Sequence, residues 1–116
     1  MELQFRESAI SALNSFAAHY ERAWCDLFRD TGLWNESSII DGFKKSAKKM
    51  RDTILAGIEA QLIERDVLGR KTVGRDWHEI YFHVGSRLVI VHYSEDRKEK
   101  IRWVESISVD RKAIIF

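Results

Sequence analysis

From Ser8 to Arg29 apolar residues recur every three or four positions, at Ile10, Leu13, Phe16, Ala17, Tyr20, Trp24, Leu27 and Phe28, so they fall on one stripe of a helix. Ser8 is the expected N-cap, because its hydroxyl can accept a free amide of the first turn, and Gly32 suits a left-handed stop. Trp34, Asn35 and Glu36 then connect to Ser37 and Ser38, the expected caps of a second run. There Ile40, Phe43, Ala47, Met50, Ile54, Ile58 and Leu62 repeat the period, with Gly69 as the stop. This predicts a second helix of about 28 residues, roughly 42 Å long. Gly42 and Gly57 weaken it by about 1 kcal/mol each relative to Ala.

After Gly69 the period changes to two, and β-branched and aromatic residues concentrate between Trp77 and Phe116. Gly69 to Asp76 reads as a polar loop. Gly85-Ser86, set between apolar runs, reads as a two-residue hairpin turn. A third strand follows from Ile101 to Val109 after a charged loop from Ser94 to Lys100, and Asp110-Arg111 turns the chain into a last short strand from Ala113 to Phe116. The expected fold class is α+β, with two long N-terminal α-helices packed on one face of a C-terminal antiparallel meander of three or four strands. Residues 1–68 form the helical hairpin and 69–116 the sheet of a single domain, 1–116.

The hairpin turn sets the pairing. Val84 meets Arg87, Phe82 meets Val89, Ile80 meets Val91 and His78 meets Tyr93 on the face the helices should cover. His83 with Leu88, Tyr81 with Ile90, and Glu79 with His92 share the other face. Taking Ser94 to Lys100 as the next loop pairs Tyr93 with Ile101 and His92 with Arg102, so that Glu79, His92 and Arg102 form one row. A slip of one residue in this second hairpin sends Arg102 to the covered side.

Composition narrows the class. Nineteen Lys and Arg against eighteen Asp and Glu give a net charge of +1, which leaves neither a polybasic nor an acidic tail to explain function. By halves, nine basic and eleven acidic side chains give residues 1–68 a charge of −2, and ten against seven give residues 69–116 a charge of +3, a mild bias of the sheet half toward an anionic partner. Proline is absent, so helices can run unbroken. The lone Cys25, set among Trp24, Leu27 and Phe28, cannot form an internal disulfide and is expected as a buried, inert thiol. No secretory signal or spanning run is recognisable, and the reading expects a cytoplasmic protein with no membrane association.

No P-loop, dinucleotide fingerprint, nucleophile elbow or zinc-ligand spacing occurs, so neither a cofactor nor a metal is expected. His83, His92 and Glu79 alone do not make a metal site. Three functional readings remain. The first is a small soluble protein-interaction module, such as an immunity or antitoxin-like partner acting by occlusion, which docks another protein through the mixed sheet face. It would use Trp77, Tyr81, Leu88 and Arg87, since exposed Trp and Tyr beside Arg mark interface hot spots. Trp34 is expected to be partly exposed as well, while Trp24 and Trp103 fall on core faces.

The second is a metal-independent ribonuclease with His92 and His83 exchanging acid and base roles, Glu79 orienting His92, and Arg102, with Arg87 or Tyr81, holding phosphate. Tyr81 to Ile90 resembles the strand hairpins of small bacterial RNase toxins over about ten residues, a pattern shared by β-hairpins at large, and it identifies no family. The third is sequence-blind RNA or DNA binding through Lys44, Lys45, Lys48, Lys49 and Arg51, which align as one cationic patch on the second helix. Two helices and a hairpin match a winged DNA-binding module in outline only, since a third helix and its short turn are missing.

Overall fold

The computed structural model describes residues 2–31, 36–65, 69–72 and 74–110, with side chains for all of these except 27–31 and 36–40. Strand β1 spans Glu2–Phe5, helix α1 Glu7–Thr31 and helix α2 Glu36–Glu59. A π-turn, Ala60–Glu64, ends the second helix. Strands β2 (Arg70–Lys71), β3 (His78–Val84), β4 (Arg87–Asp96) and β5 (Ile101–Val109) follow. The class is α+β, as the periodicity predicts: the two helices pack on one face of a mostly antiparallel sheet whose β3, β4 and β5 form a meander.

The sheet has five strands in the order β1-β5-β4-β3-β2, wider than the three or four expected. The additional edge strand β1 runs parallel to β5, Glu2 beside Ile101 through Phe5 beside Val104. The other addition is β2, where Arg70 and Lys71, read as loop, pair with Glu79 and His78. Gly32, Trp34 and the strand expected over Ala113 to Phe116 lie outside the described residues.

Two capping expectations change. Helix α1 begins at Glu7, and the Arg6 carbonyl accepts from the Ala9 and Ile10 amides at 3.0 and 3.2 Å, so Ser8 lies within the first turn rather than capping it. Glu7 there complements the positive end of the helix dipole. Likewise α2 begins at Glu36, which places Ser37 and Ser38 inside it. Gly69 is no helix stop, because α2 gives way at Ala60 to the π-turn, closed by the Arg65 amide donating to the Ala60 carbonyl at 2.9 Å. Gly69 is required by close approach instead. A Cβ there would lie 2.8 Å from the Glu79 carbonyl oxygen and 3.0 Å from the Tyr93 ring, and the Gly69 amide donates to the buried Tyr93 hydroxyl at 2.7 Å.

Between the layers Ala9, Leu13 and Phe16 of α1, and Ile54, Ile58 and Leu62 near the end of α2, pack on Ile80, Val89, Val91, Tyr93, Val104, Ile107 and Val109. All are buried, and their removal from water is the main stabilising term. Beyond the sheet the helices pack on each other: Trp24 stacks on Phe43 with centroids 5.9 Å apart, and Cys25 is half-buried rather than fully enclosed.

Candidate functional site

The first hairpin has the predicted register throughout, from Val84 beside Arg87 to His78 beside Tyr93. Gly85, with φ +61°, supplies the left-handed residue that a two-residue turn needs in its first central position. The face opposite the helices therefore carries Glu79, Tyr81 and His83 on β3, and Leu88, Ile90, His92 and Ser94 on β4.

The second hairpin differs. Strand β4 continues to Asp96, which pairs with Ile101, so the loop is shorter than Ser94 to Lys100 and Glu95, not His92, lies beside Arg102. Arg102 is consequently on the covered side, 7% exposed. Its Nη1 donates to the Leu62 carbonyl at 2.8 Å, its Nε lies 3.9 Å from Glu95 Oε2, and its guanidinium carbon sits 5.4 Å from the Tyr93 ring centre. The expected row of Glu79, His92 and Arg102 does not exist.

A β-bulge then restores the pattern. Tyr93 pairs with Val104 and His92 with Ser106, leaving Glu105 as the extra residue. Because the bulge suspends the pleat for one step, Glu105 and Ser106 both present side chains to the open face. Ser106, which sequence reasoning missed, takes the place expected of Arg102. His92 Nε2 lies 2.9 Å from Glu79 Oε2 and His92 Nδ1 lies 3.2 Å from Ser106 Oγ. A carboxylate only accepts, so Nε2 carries the proton toward Glu79, and in the neutral ring Nδ1 accepts from the Ser106 hydroxyl. A second cluster lies alongside: the Ser94 hydroxyl donates to Glu105 Oε1 at 2.7 Å, and Arg6 Nε donates to the same carboxylate at 3.3 Å.

Two tryptophans border these clusters, each under a guanidinium. The Arg6 guanidinium carbon lies 4.0 Å from the Trp103 ring centre, and that of Arg75 lies 4.5 Å from the Trp77 ring centre. Trp77 also approaches the His92 ring at 6.1 Å. Trp103 thus belongs to the open face, beside Ser94, and not to the core, because the shortened loop reverses the expected side. Trp24, by contrast, packs between the helices. Tyr81 is 68% exposed on this face. A shallow groove of about 520 Å³ runs round the end of this face, lined by Arg6, Asp76, His78, Ser94, Asp96 and Trp103 among others.

The remaining sequence candidates are dispersed. His83 is exposed on the open face, but four residues along β3 from Glu79, about 13 Å, so it and His92 do not converge on one phosphate. Arg87 lies on the covered face. Its Nη1 donates to the Asp110 carbonyl at 2.9 Å, and its guanidinium carbon sits 5.4 and 5.6 Å from the Phe16 and Tyr20 ring centres, contacts that join α1 to the hairpin. Lys44, Lys45, Lys48 and Lys49 are exposed on α2. Arg51 is drawn away from them toward α1, donating from Nε to Asn14 Oδ1 at 2.8 Å.

The open face can therefore bind through aromatic and charged groups already held in place, and it carries one acid–base pair, Glu79 and His92. Among the described residues no three His, Cys, Asp or Glu side chains are grouped to hold a metal ion, and no helix is long and apolar enough to cross a membrane. Compared with models of protein families, with curated proteins and with solved structures, the chain matches none of them.

Proposed function

We propose that the chain is a protein-interaction module that docks a partner protein through the open face of its sheet, in the manner of an immunity or antitoxin-like protein that occludes its target. The observation that carries this reading is Tyr81, 68% exposed on a face whose other aromatic residues, Trp77 and Trp103, are already clamped by arginines. Trp, Tyr and Arg dominate interface hot spots, and side chains ordered before binding lose less entropy on association. The hydrogen-bonded clusters around His92 and Glu105 supply fixed polar groups for register and specificity.

Affinity capture from the native host, followed by calorimetry with the purified partner, tests the reading. A Trp77→Ala, Tyr81→Ala double variant should bind at least tenfold more weakly, since each hot-spot truncation typically costs about 2 kcal/mol or more. Equal affinity of the double variant, or no retained partner for the wild type, would overturn it.

The 2.9 Å contact between Glu79 and His92 favours a second reading, general acid–base cleavage of RNA. In that case the purified chain would cut RNA in the presence of EDTA, and His92→Ala would slow cleavage roughly 10²- to 10⁴-fold. The dispersal of His83, Arg87 and Arg102 leaves that reaction without a second imidazole and without a phosphate-binding arginine from the expected set.

A further inference from the structure

We infer that Ser106 is a nucleophile activated by His92 and Glu79, and that through it the open face of the sheet hydrolyses aryl esters. A serine, a base within hydrogen-bond reach and a carboxylate that orients the base together turn a hydroxyl into a nucleophile, and such a set is recognised by geometry rather than by order in the chain. Here Ser106 Oγ lies 3.2 Å from His92 Nδ1, and His92 Nε2 lies 2.9 Å from Glu79 Oε2. The three residues come from β5, β4 and β3 and stand in one row, each half-buried and reachable from solvent. The inference goes beyond the docking reading and does not rest on it.

The bulge makes this row. Continued past Val104 without it, the pairing of Ile101 to Val104 would set Glu105 opposite His92, and the ring would lie between two carboxylates. Bulges recur beside active sites, where they re-aim a side chain. This one replaces a group that only accepts with a hydroxyl that donates to Nδ1, the direction in which a general base draws the proton. The displaced Glu105 holds Arg6, whose Nε donates to it at 3.3 Å while its Nη groups make no hydrogen bond among the described residues. Held beside the residue next to Ser106, those donors are available to an oxyanion forming there. In the reaction the ester carbon bonds to Oγ as the hydroxyl proton passes to Nδ1. His92 returns that proton to the departing oxygen as the C–O bond breaks, leaving acyl-Ser106 and the free alcohol. Water then enters by the same route, which releases the carboxylic acid and restores the hydroxyl. Glu79 accepts from Nε2 throughout and is a positioning residue. The departing group lies on the His92 side, where the Trp77 ring is 6.1 Å from the imidazole, so an aromatic alcohol is the leaving group this surface receives.

The test is p-nitrophenyl acetate with the purified full chain near neutral pH. Acid-quenched wild type should carry an acetyl group that peptide mass spectrometry places on Ser106, and release of p-nitrophenol should fall at least about 100-fold in Ser106→Ala. His92→Gln should slow acylation roughly 10²- to 10⁴-fold, and Arg6→Ala about 10²-fold. Glu79→Gln should lower kcat at least about tenfold with KM and melting temperature unchanged, as expected of a residue that never meets the ester. A wild type that gains no acetyl group on Ser106 overturns the inference. So does release that persists in Ser106→Ala, the mark of plain imidazole catalysis at surface histidines. Either result leaves the capture experiment with Trp77 and Tyr81 to decide the docking reading.

Discussion

A guanidinium beneath a sheet needs compensation for its lost water, and Arg102 finds it from two elements: the Leu62 carbonyl of the π-turn accepts a hydrogen bond from it, and β4 sets the Glu95 carboxylate and the face of Tyr93 beside it. The Leu62 carbonyl belongs to the π-turn that ends α2, so one side chain ties the end of the helical hairpin to the middle of the sheet. Truncating a buried charged partner leaves the others desolvated and unmatched. Arg102→Ala should therefore lower unfolding stability by about 3 kcal/mol in urea titrations, and Arg102→Met, which keeps the packed stem, by less. A loss under about 1 kcal/mol for the alanine variant would mean that the guanidinium contributes nothing net. The same residue shows how far composition misleads at this scale. A basic residue in an alternating strand reads as solvent-facing, and only the pairing decides its side.

Within α2, two glycines that look alike in sequence have opposite reasons to exist. A Cβ at Gly42 would meet nothing within 4 Å, whereas a Cβ at Gly57 would lie 2.5 Å from the Phe82 ring. Ala is favoured over Gly inside a helix by about 1 kcal/mol. Gly42→Ala should thus stabilise by up to about that amount, while Gly57→Ala should destabilise the wild type and become stabilising once Phe82→Ala clears the ring; thermal melts of the four variants measure both signs. If Gly57→Ala is stabilising with Phe82 intact, the helix and β3 are not in contact as described. What is legible at this scale follows the strength of the local signal. The two helices are visible because seven or eight apolar positions repeat one period, and the first hairpin is visible to the residue because Gly85-Ser86 admits one turn. The second hairpin has no such marker: the chain between Asp96 and Ile101 is a run of charged residues that fits several loop lengths, and a bulge at Glu105 leaves no signature in an alternating pattern. That one ambiguity removes Arg102 from the candidate site, puts Ser106 into it, and moves Trp103 from the core to the open face. Strand β1 escapes notice because four residues carry little periodicity and their partner lies far along the chain.

The whole molecule is long for its mass, 56 × 24 × 23 Å, with a radius of gyration of 16.6 Å where a compact chain of this length would have about 13 Å. Arg87 marks the place where α1 passes the hairpin turn, at Phe16 and Tyr20, and Glu21–Thr31 runs about 16 Å further. Over the sheet each helix has a core to bury; past it, the contact among the described residues is between the helices themselves, Trp24 on Phe43. Amide exchange should follow this division, with Leu13, Phe16, Ile54 and Ile58 opening only on global unfolding and Trp24, Lys44 and Lys45 exchanging at least about 100-fold faster. Uniform protection along both helices would show that the projecting part is as stable as the core. The parallel pairing of β1 with β5 has a consequence for synthesis. Glu2 waits for Ile101, and at about 5–20 residues per second the delay is roughly 5–20 s. The helical hairpin is finished well before that. Until β5 leaves the ribosome, the stripe of Leu13, Phe16 and Ile54, together with Leu3 and Phe5, has no complete sheet to lie against, so a pause in translation ahead of Ile101 would hold the chain in its most aggregation-prone form.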